Sequence, residues 1–517
     1  MSDRRARLLA GSSDTVEQIL GVLDDTTIRV LLPEHVPWRR QVLAITLVDI
    51  LARLFPRIRV VGAGEQLAHP LLPPGERLLR ERLEEARTHG PRPLNAGSGV
   101  AVTVVVGETA EEVGGSVIYC DGDGWQAYLG PEPSALGDSG DELIPIGPLT
   151  AACRAAARAF AAALQSCGPA VNELRPTYWS ALTYDAGAYP LSTVDVPAPG
   201  LLSAVLAGAG SIGGATAYAF AHVPRLGGEL SIVDSQAYAR DNPDRALLAT
   251  NAVAAKGIDK ATHAKHVLGH LSQLSVKSHR SSIEQWVGSR DPGPLPLVMC
   301  AFDSVESRRE LQDCLPRDVI NAACGADHVA VSGHVTGDGP CVYCLHIANV
   351  LDTEQITFKL IVQSTGLAPR LVQAWLEKHV PVQDAALREI ERNRGMSVGA
   401  LAPYAGRTID EIHRVALAYG EFALELADGG AAAVAAPWVT ALAGFILAGE
   451  ALKATDMDAY RAYRLGPWAD GRTRYEELLY GSVKDSIVHA VPRWDGSECL
   501  CRSTRRLRVL AELYPDT

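Results

Sequence analysis

The spacing of hydrophobic positions divides the chain into two stretches in which short apolar strands alternate with helices. In the first stretch, residues 27–32, 57–61, 100–106 and 116–120 have the composition of strands, and 38–55 and 149–164 carry apolar residues at helical spacing. The alternation restarts with a strand at 202–207 and a helix to about residue 222, and further strands follow at 229–233 and 296–301. Such alternation is typical of a mainly parallel sheet covered by helices. The sequence therefore predicts two α/β domains.

A segment rich in proline, glycine and tyrosine separates the two stretches. It includes Pro190, Pro197, Pro199 and Gly200 and predicts a linker. We therefore expect a first domain at 1–170, a linker at 171–200, and a second domain at 201–517 with a helical insert at about 346–430. The first strand-to-helix turn of the first domain, residues 33–37, has no glycine. We expect this domain to bind no nucleotide, because such a turn cannot approach a phosphate closely.

The corresponding turn of the second domain is rich in glycine. Strand 202–207 leads into Gly208, Gly210 and Gly213 at the start of a helix, and the next strand ends at Asp234. Glycines allow a tight turn and close backbone approach to a ligand, and the helix N-terminus favours anions. An acid after the second strand can accept hydrogen bonds from ribose hydroxyls. This motif predicts a nucleotide site but does not separate NAD from ATP.

Polar residues that follow favour ATP. Asn242 and Arg245 lie after Asp234, and Lys260 opens the next predicted helix. Cations at such positions stabilise charge that develops on pyrophosphate. Asp303 follows strand 296–301 and could hold Mg²⁺ or, alternatively, cap the helix that begins at about residue 305.

As an ordered set, these residues resemble the ubiquitin-activating enzymes and their bacterial relatives in thiamin and molybdopterin biosynthesis. The series comprises Gly208, Gly210, Gly213, Asp234, Asn242, Arg245, Lys260, Asp303 and Arg308, then a Cys-x-x-Cys pair, and the helix at 437–453 resembles the family's closing helix. The resemblance covers about 200–510. It implies a Rossmann-like adenylation domain in which Asp234 binds ribose, Arg245 and Lys260 bind phosphates, and Asp303 serves Mg²⁺ and adenylation.

The resemblance also implies what surrounds this domain. The first domain is then similar to the family's inactive adenylation domain, a degenerate second Rossmann-like domain. In the family, an arginine of the opposite subunit often reaches the ATP phosphates; the candidates here are Arg4, Arg5, Arg39 and Arg40. Two positions depart from the pattern: Gln236 stands where relatives have a second acid, and Ala246 where they usually have glutamine.

Four cysteines in two close pairs predict a metal site. Cys341 and Cys344 form one pair, and Cys499 and Cys501 the other. Four thiolates can close a tetrahedral zinc site. In the family such a zinc is structural and remote from the chemistry, so we expect it to tie the end of the domain to its core.

The insert lacks the thiol that thioester-forming relatives use. No cysteine occurs between residues 346 and 498. Its hydroxyl candidates, Ser364, Thr365, Ser397 and Thr408, would need a nearby base to act as nucleophiles. Cys324 is the thiol closest to the expected ligand crevice.

Composition limits the partners. Asp and Glu number 60 against 48 Lys and Arg, for a net charge of −12, which argues against nucleic acid or an anionic membrane as the main partner. Because no signal peptide or membrane span is predicted, we expect a cytoplasmic protein. The resemblance allows a homodimer.

Four functions remain open. The first is ATP-dependent adenylation of the C-terminal carboxylate of a ubiquitin-like protein or peptide, for transfer to a conjugating enzyme or another nucleophile. The second is the same chemistry on a sulfur-carrier protein or a peptide natural-product precursor. Arg245, Lys260 and the cysteine pairs speak against the third, an NAD-dependent oxidoreductase. The intact glycine loop and its polar residues speak against the fourth, a non-catalytic scaffold.

Overall fold

The computed structural model describes most of both predicted domains. The described residues are 20–62, 64–68, 77–90, 101–108, 116–137, 144–164, 174–192, 198–224, 226–240, 242–269, 273–325, 329–336, 341–342, 344, 358, 361–362, 365–378, 380–394, 398–399, 401–413, 436–456, 458–460, 463, 476–477, 499 and 503–515.

The first unit is a seven-stranded sheet covered by helices. Its strands are β1 (Thr27–Leu31), β2 (Arg57–Val61), β3 (Ala101–Val106), β4 (Ser116–Asp123), β5 (Gln126–Gly130), β6 (Thr177–Ser180) and β7 (Ala186–Gly187). Its helices are α1 (Trp38–Ala52), α2 (Leu79–Arg87) and α3 (Ile146–Ala163). The strand order is β2-β1-β3-β4-β5-β6-β7, parallel as far as β4 and antiparallel from there.

The second unit is built on another seven-stranded sheet. Its strands are β8 (Leu202–Ala207), β9 (Gly227–Val233), β10 (Gln273–His279), β11 (Leu297–Cys300), β12 (Asp318–Cys324), β13 (Val329–Val335) and β14 (Glu476–Glu477). The first helices are α4 (Ser211–Ala221), α5 (Asn251–Lys256), α6 (Lys260–Gly269), α7 (Ile283–Ser289) and α8 (Val305–Asp313). The later ones are α9 (Pro369–Lys378), α10 (Asp384–Arg394), α11 (Ile409–Ile412), α12 (Pro437–Lys453) and α13 (Thr504–Leu513).

The two sheets share one strand order. The second sheet runs β10-β9-β8-β11-β12-β13-β14, and without β10 it matches the first six strands of the first sheet, both in order and in which neighbours are parallel. A long helix precedes the last strand of this matching set in each unit: α3 precedes β6, and α12 precedes β14. The predicted fold class, two α/β units with mainly parallel sheets, is confirmed. Among the described residues, the first unit has no equivalent of β10.

Element boundaries differ modestly from the predictions. The helices predicted at 38–55 and 149–164 are Trp38–Ala52 and Ile146–Ala163. The segment 171–200, predicted as a linker, contains β6 and β7, because Thr177 to Trp179 combine β-branched and aromatic side chains that pair well with β5.

A buried helix joins the two units. All of α12 is buried, and it packs on α4 of its own unit and on α3 of the first. A Cβ at Gly444 would lie 2.4 Å from the carbonyl oxygen of Ile212, so α12 and α4 approach backbone to backbone. Tyr184 of the first unit donates a hydrogen bond of 2.7 Å to Glu450, which also pairs with Lys453. Within the described residues, no helix is both long and apolar enough to cross a bilayer.

The predicted insert has a small hydrophobic core of its own. Helices α9, α10 and α11 surround a cluster that includes Val372, Ile390, Leu401 and Ile409. These buried residues come from segments that neither sheet uses. The insert is therefore a helical addition to the second unit.

Candidate nucleotide site and metal centre

The candidate site lies where the strand order of the second sheet reverses. β9 and β10 lie on one side of β8, and β11 and β12 lie on the other. All five strands are parallel, so their carboxyl ends share one edge. A crevice opens at such a switch point, outside the carboxyl ends of the strands. The glycine loop follows β8 there, and Asp303 follows β11.

The glycine loop is shaped by two close approaches. Gly208 has a φ of +94°, in the left-handed region, and a Cβ there would lie 3.0 Å from the carbonyl oxygen of Ala301. A Cβ at Gly213 would lie 1.9 Å from the carbonyl oxygen of Gly208. Gly210 has open space where its Cβ would be. Two glycines are therefore required by packing, and the third leaves room above the loop.

Asp234 ties the end of β9 to this loop. Its Oδ2 accepts a 2.7 Å hydrogen bond from the backbone N–H of Ala209, and its Oδ1 accepts one of 2.7 Å from that of Gln236. The side chain is largely buried. Each carboxylate oxygen can accept a further hydrogen bond. The position is compatible with ribose hydroxyls, although the structure shows the carboxylate bracing the loop.

Lys260 is a buried cation without an acidic partner. It is the first residue of α6 and is 8% exposed. Its Nζ donates a 2.6 Å hydrogen bond to Oε1 of Gln236, and no carboxylate forms an ion pair with it within the described part of the chain. Sequence reasoning treated Gln236 only as a departure from the family, but this residue orients the lysine. A neutral partner leaves the ammonium charge available for an anion.

Arg245 lies on a segment of turns, residues 242–249, between β9 and α5. Its backbone N–H donates to the carbonyl of Asn242 at 3.1 Å, and the Oδ1 of Asn242 accepts from Ala239 at 2.9 Å. The hydroxyl of Thr440 donates to the carbonyl of Arg245 at 2.9 Å. The Nε of Arg245 is buried and has no hydrogen-bond partner among the described residues.

Arg245 and Arg308 also act on the thiol at the end of β12. Burial raises the pKa of Cys324 to about 11, while the charges of the two arginines act in the opposite direction. The thiol is thus protonated at neutral pH.

Arg308 braces the turn that carries Asp303. Its Nη2 donates to the carbonyl of Phe302 at 2.5 Å, and its Nε donates to Oδ1 of Asn321 at 3.2 Å. The cap of α8 is Ser304, whose hydroxyl oxygen accepts from the backbone N–H of Ser307 at 3.1 Å. The alternative that Asp303 caps this helix is wrong. Asp303 is exposed at the crevice edge.

The contacts thus connect most of the predicted nucleotide residues. Lys260, Gln236, Asp234 and the glycine loop form one hydrogen-bonded series; the loop touches the end of β11, and Arg308 connects that end to β12.

The matching turn of the first unit is filled. Val36 is fully buried, and its backbone N–H donates to Oε1 of Gln66 at 2.9 Å. Of the arginines considered for the opposite active site, Arg39 pairs with Asp123 and Arg40 with Asp121, whereas Arg4 and Arg5 lie outside the described residues.

Three of the four predicted metal ligands meet in one buried cluster. The Sγ atoms of Cys341 and Cys344 are 3.7 Å apart. The Sγ atom of Cys499 lies 3.7 Å from that of Cys341 and 3.1 Å from that of Cys344. In a tetrahedral site with Zn–S bonds of about 2.3 Å, two sulfurs lie about 3.8 Å apart. The geometry suits a thiolate-bound zinc, and these three residues could hold one. Cys501, the predicted fourth ligand, lies outside the described residues.

Comparisons with known proteins give three similarities. Residues 38–180 match the family model described as the BilD N-terminal domain. An uncharacterized Sinorhizobium fredii protein, y4jF, is 28% identical over 419 residues, which are 78% of this chain and 77% of that protein.

Solved structures of Escherichia coli MccB are also similar. The one with succinimide is 12% identical, covering 58% of this chain and 66% of that chain, with a TM-score of 0.32. The one with MccA-N7isoASN is 19% identical, covering 28% and 42%, with a TM-score of 0.23. This chain thus spans less than two thirds of either MccB chain. The fold assignment rests on strand order and pairing.

Proposed function

We propose that this chain uses ATP to adenylate the C-terminal carboxylate of a ubiquitin-like protein or peptide. The observation that carries the proposal is the buried ammonium of Lys260, held by an amide at the edge of a glycine loop that has room above Gly210. A buried cation without a counter-charge favours an anionic ligand. The helix N-terminus at the loop favours the same charge.

The reaction is an in-line displacement at the α-phosphorus. A carboxylate oxygen of the substrate forms the new P–O bond, and the bond to the β-phosphate oxygen breaks. Pyrophosphate leaves with the electron pair. Lys260 and Arg245 stabilise the charge that develops on the leaving group, and Asp234 positions the ribose.

Asp303 fits the role of metal ligand. It is exposed at the carboxyl end of β11, and Arg308 fixes the carbonyl next to it. Mg²⁺ prefers one or two carboxylates together with phosphate oxygens. A bound Mg²⁺ would neutralise triphosphate charge, while this chain's residues hold the substrate in place.

Of the hydroxyl candidates in the insert, Thr365 is poorly placed to act as a nucleophile for the adenylate. The hydroxyl of Thr365 is buried and donates to the carbonyl of Ile361 at 2.7 Å. Ser364 and Ser397 lie outside the described residues. We expect the adenylate to be passed on either directly or through an oxyester that is sensitive to hydroxide and resistant to thiols, to an acceptor that a conjugating enzyme or another partner provides.

ATP–pyrophosphate exchange tests the proposal, with small proteins that end in glycine as substrates. Arg245→Ala and Lys260→Ala should each lower the exchange rate by about 10²–10³-fold, the usual effect of removing a charge-stabilising group. Asp303→Asn should abolish it. Asp313→Asn, at the far end of α8, is the matched control, because Asp313 pairs with Arg506 on the surface, away from the glycine loop. Wild-type exchange in the Asp303 variant contradicts the assignment.

Ligand-induced stabilisation separates this function from an oxidoreductase. ATP with Mg²⁺ should raise the melting temperature, and NAD should not. Stabilisation by NAD alone, lost in Asp234→Ala, would favour the oxidoreductase instead.

A further inference from the structure

One arginine of the first unit is buried in the second. Arg53 follows α1 and is 2% exposed. Its Nη1 donates to the carbonyls of Ala246 at 3.0 Å and Ala249 at 3.3 Å and also contacts that of Pro243. Its Nη2 donates to the carbonyl of Leu247 at 3.0 Å. One guanidinium therefore serves four carbonyls of a single segment.

Asp49 balances this buried charge. Its Oδ1 accepts from Nε and Nη2 of Arg53 at 3.0 and 2.8 Å, and its Oδ2 lies 3.2 Å from Nδ1 of His89. Burial acts to raise the pKa of Asp49, but Arg53 and His89 together hold it below its usual value. The planar fork of arginine is what allows one side chain to bind a carboxylate and several carbonyls together.

The segment that Arg53 holds, residues 242–249, forms turns rather than a helix or strand. The carbonyls of Asn242 and Ala246 accept from backbone N–H groups of the same segment, and several others have their donors outside it. Thr440 donates to the carbonyl of Arg245 at 2.9 Å, and Nε2 of His263 lies 3.0 Å from that of Leu248. Arg53 binds four more, those of Pro243, Ala246, Leu247 and Ala249. Without it, several buried carbonyls would lose their donors, which costs free energy.

We propose that Arg53 is a positioning residue of the adenylation site, through which the first unit fixes Arg245. Arg53 does not touch the nucleotide crevice itself. It holds the backbone on both sides of Arg245, and that backbone sets where the guanidinium points. The kinetic consequence of this inference rests on the proposed function. The hydrogen bonds from Arg53 to the carbonyls of 243–249, called the clamp below, do not depend on that function. The first unit thereby contributes to the reaction from the C-terminal end of α1.

Arg53→Lys is the informative variant, because it keeps the charge and loses the fork. Asp49→Asn is a second variant that leaves Arg53 in place but removes its carboxylate. The matched control is Tyr184→Phe, which deletes another buried hydrogen bond between the units, to Glu450.

Hydrogen–deuterium exchange measures whether the clamp holds the backbone of 242–250, and it does not require activity. In Arg53→Lys, peptides covering 242–250 should lose protection, while those of β8 to β12 stay protected. Tyr184→Phe should leave 242–250 unchanged. Unchanged protection of 242–250 in both Arg53→Lys and Asp49→Asn overturns the clamp, whatever the activity.

The rate of ATP–pyrophosphate exchange measures whether Arg53 positions Arg245. A misplacement of about 1 Å can cost about 10²-fold in rate, so Arg53→Lys should lower kcat by up to that factor. Combined with Arg245→Ala, it should cost no further loss, because both changes remove the same contribution. Additive losses overturn the positioning role. If wild-type protein shows no exchange with any carboxylate but 242–250 is released in Arg53→Lys, the proposed function fails and the clamp stands.

Discussion

Alanine substitutions in the glycine loop separate its packing role from its ligand-binding role. Gly213, Gly214 and Gly210 lie within five residues of one another, but each has a different environment. A Cβ added at Gly213 would lie 1.9 Å from a backbone carbonyl oxygen, and one added at Gly214 would lie 3.7 Å from Leu248. Among the described residues, a Cβ added at Gly210 would have no atom within 4 Å apart from those of its chain neighbours.

Gly213→Ala should destabilise the protein. A carbon–oxygen contact is normally about 3.3 Å, so the start of α4 and the turn at Gly208 must separate by about 1.4 Å. Overpacking of this kind costs about 1–3 kcal/mol. Gly214→Ala, the neighbouring control in the same helix, should instead gain about 0.5–1 kcal/mol, because alanine loses less entropy in a helix.

Gly210→Ala should leave stability within about 0.5 kcal/mol of wild type and weaken ATP binding. Its φ is −70°, outside the left-handed region, and the added methyl group fills the space above the loop. The assay is thermal unfolding with and without ATP and Mg²⁺. At about 1,000 times Kd, ATP adds about 4.1 kcal/mol to wild type. Full ATP stabilisation of Gly210→Ala would show that the nucleotide does not approach this loop.

Three further results are expected. Metal analysis should find zinc in the purified protein, and Cys344→Ser should lose both the zinc and stability. Cys314→Ser, which changes a half-buried thiol outside the cluster, should keep the zinc. Full stability without zinc would contradict the site. Burial lowers the pKa of His222 to about 4, so stability should fall as the pH drops from about 6.5 to 4, by up to about 3 kcal/mol, because the unfolded state binds the extra proton; His222→Asn should remove this component, and an unchanged pH profile would refute it. Cys324 should react with iodoacetamide about 10²-fold more slowly at pH 8 than an unperturbed thiol, because burial raises its pKa to about 11; rapid labelling would restore it as a candidate thiolate nucleophile.

Local patterns predicted the frame of the candidate site. The strand before Gly208, the helix after it and the acid at the end of the next strand are each set by near neighbours in sequence. The alternative interpretation of Asp303 as a helix cap fails for a local reason as well: serine and aspartate both cap helices, and the cap lies one residue further on, at Ser304.

Distant partners could not be predicted in this way. The carbonyls that Arg53 binds lie between 190 and 196 residues further along the chain. No periodicity or motif marks that contact, because it arises only when the two units pack together. Gln236 was similarly hidden. Its partner Lys260 is 24 residues away, and the start of α6 places the two side chains together.

The cysteine cluster has a consequence for synthesis on the ribosome. Cys341 and Cys499 are separated by 158 residues. At about 5–20 residues per second, roughly 8–30 s pass between the appearance of the two thiols. During that interval Cys341 and Cys344 lack the third cysteine of the cluster, so the nascent second unit must keep two thiols from oxidation. The rate at which the metal is delivered, and the redox state of the cell during translation, would then govern how much of the chain matures.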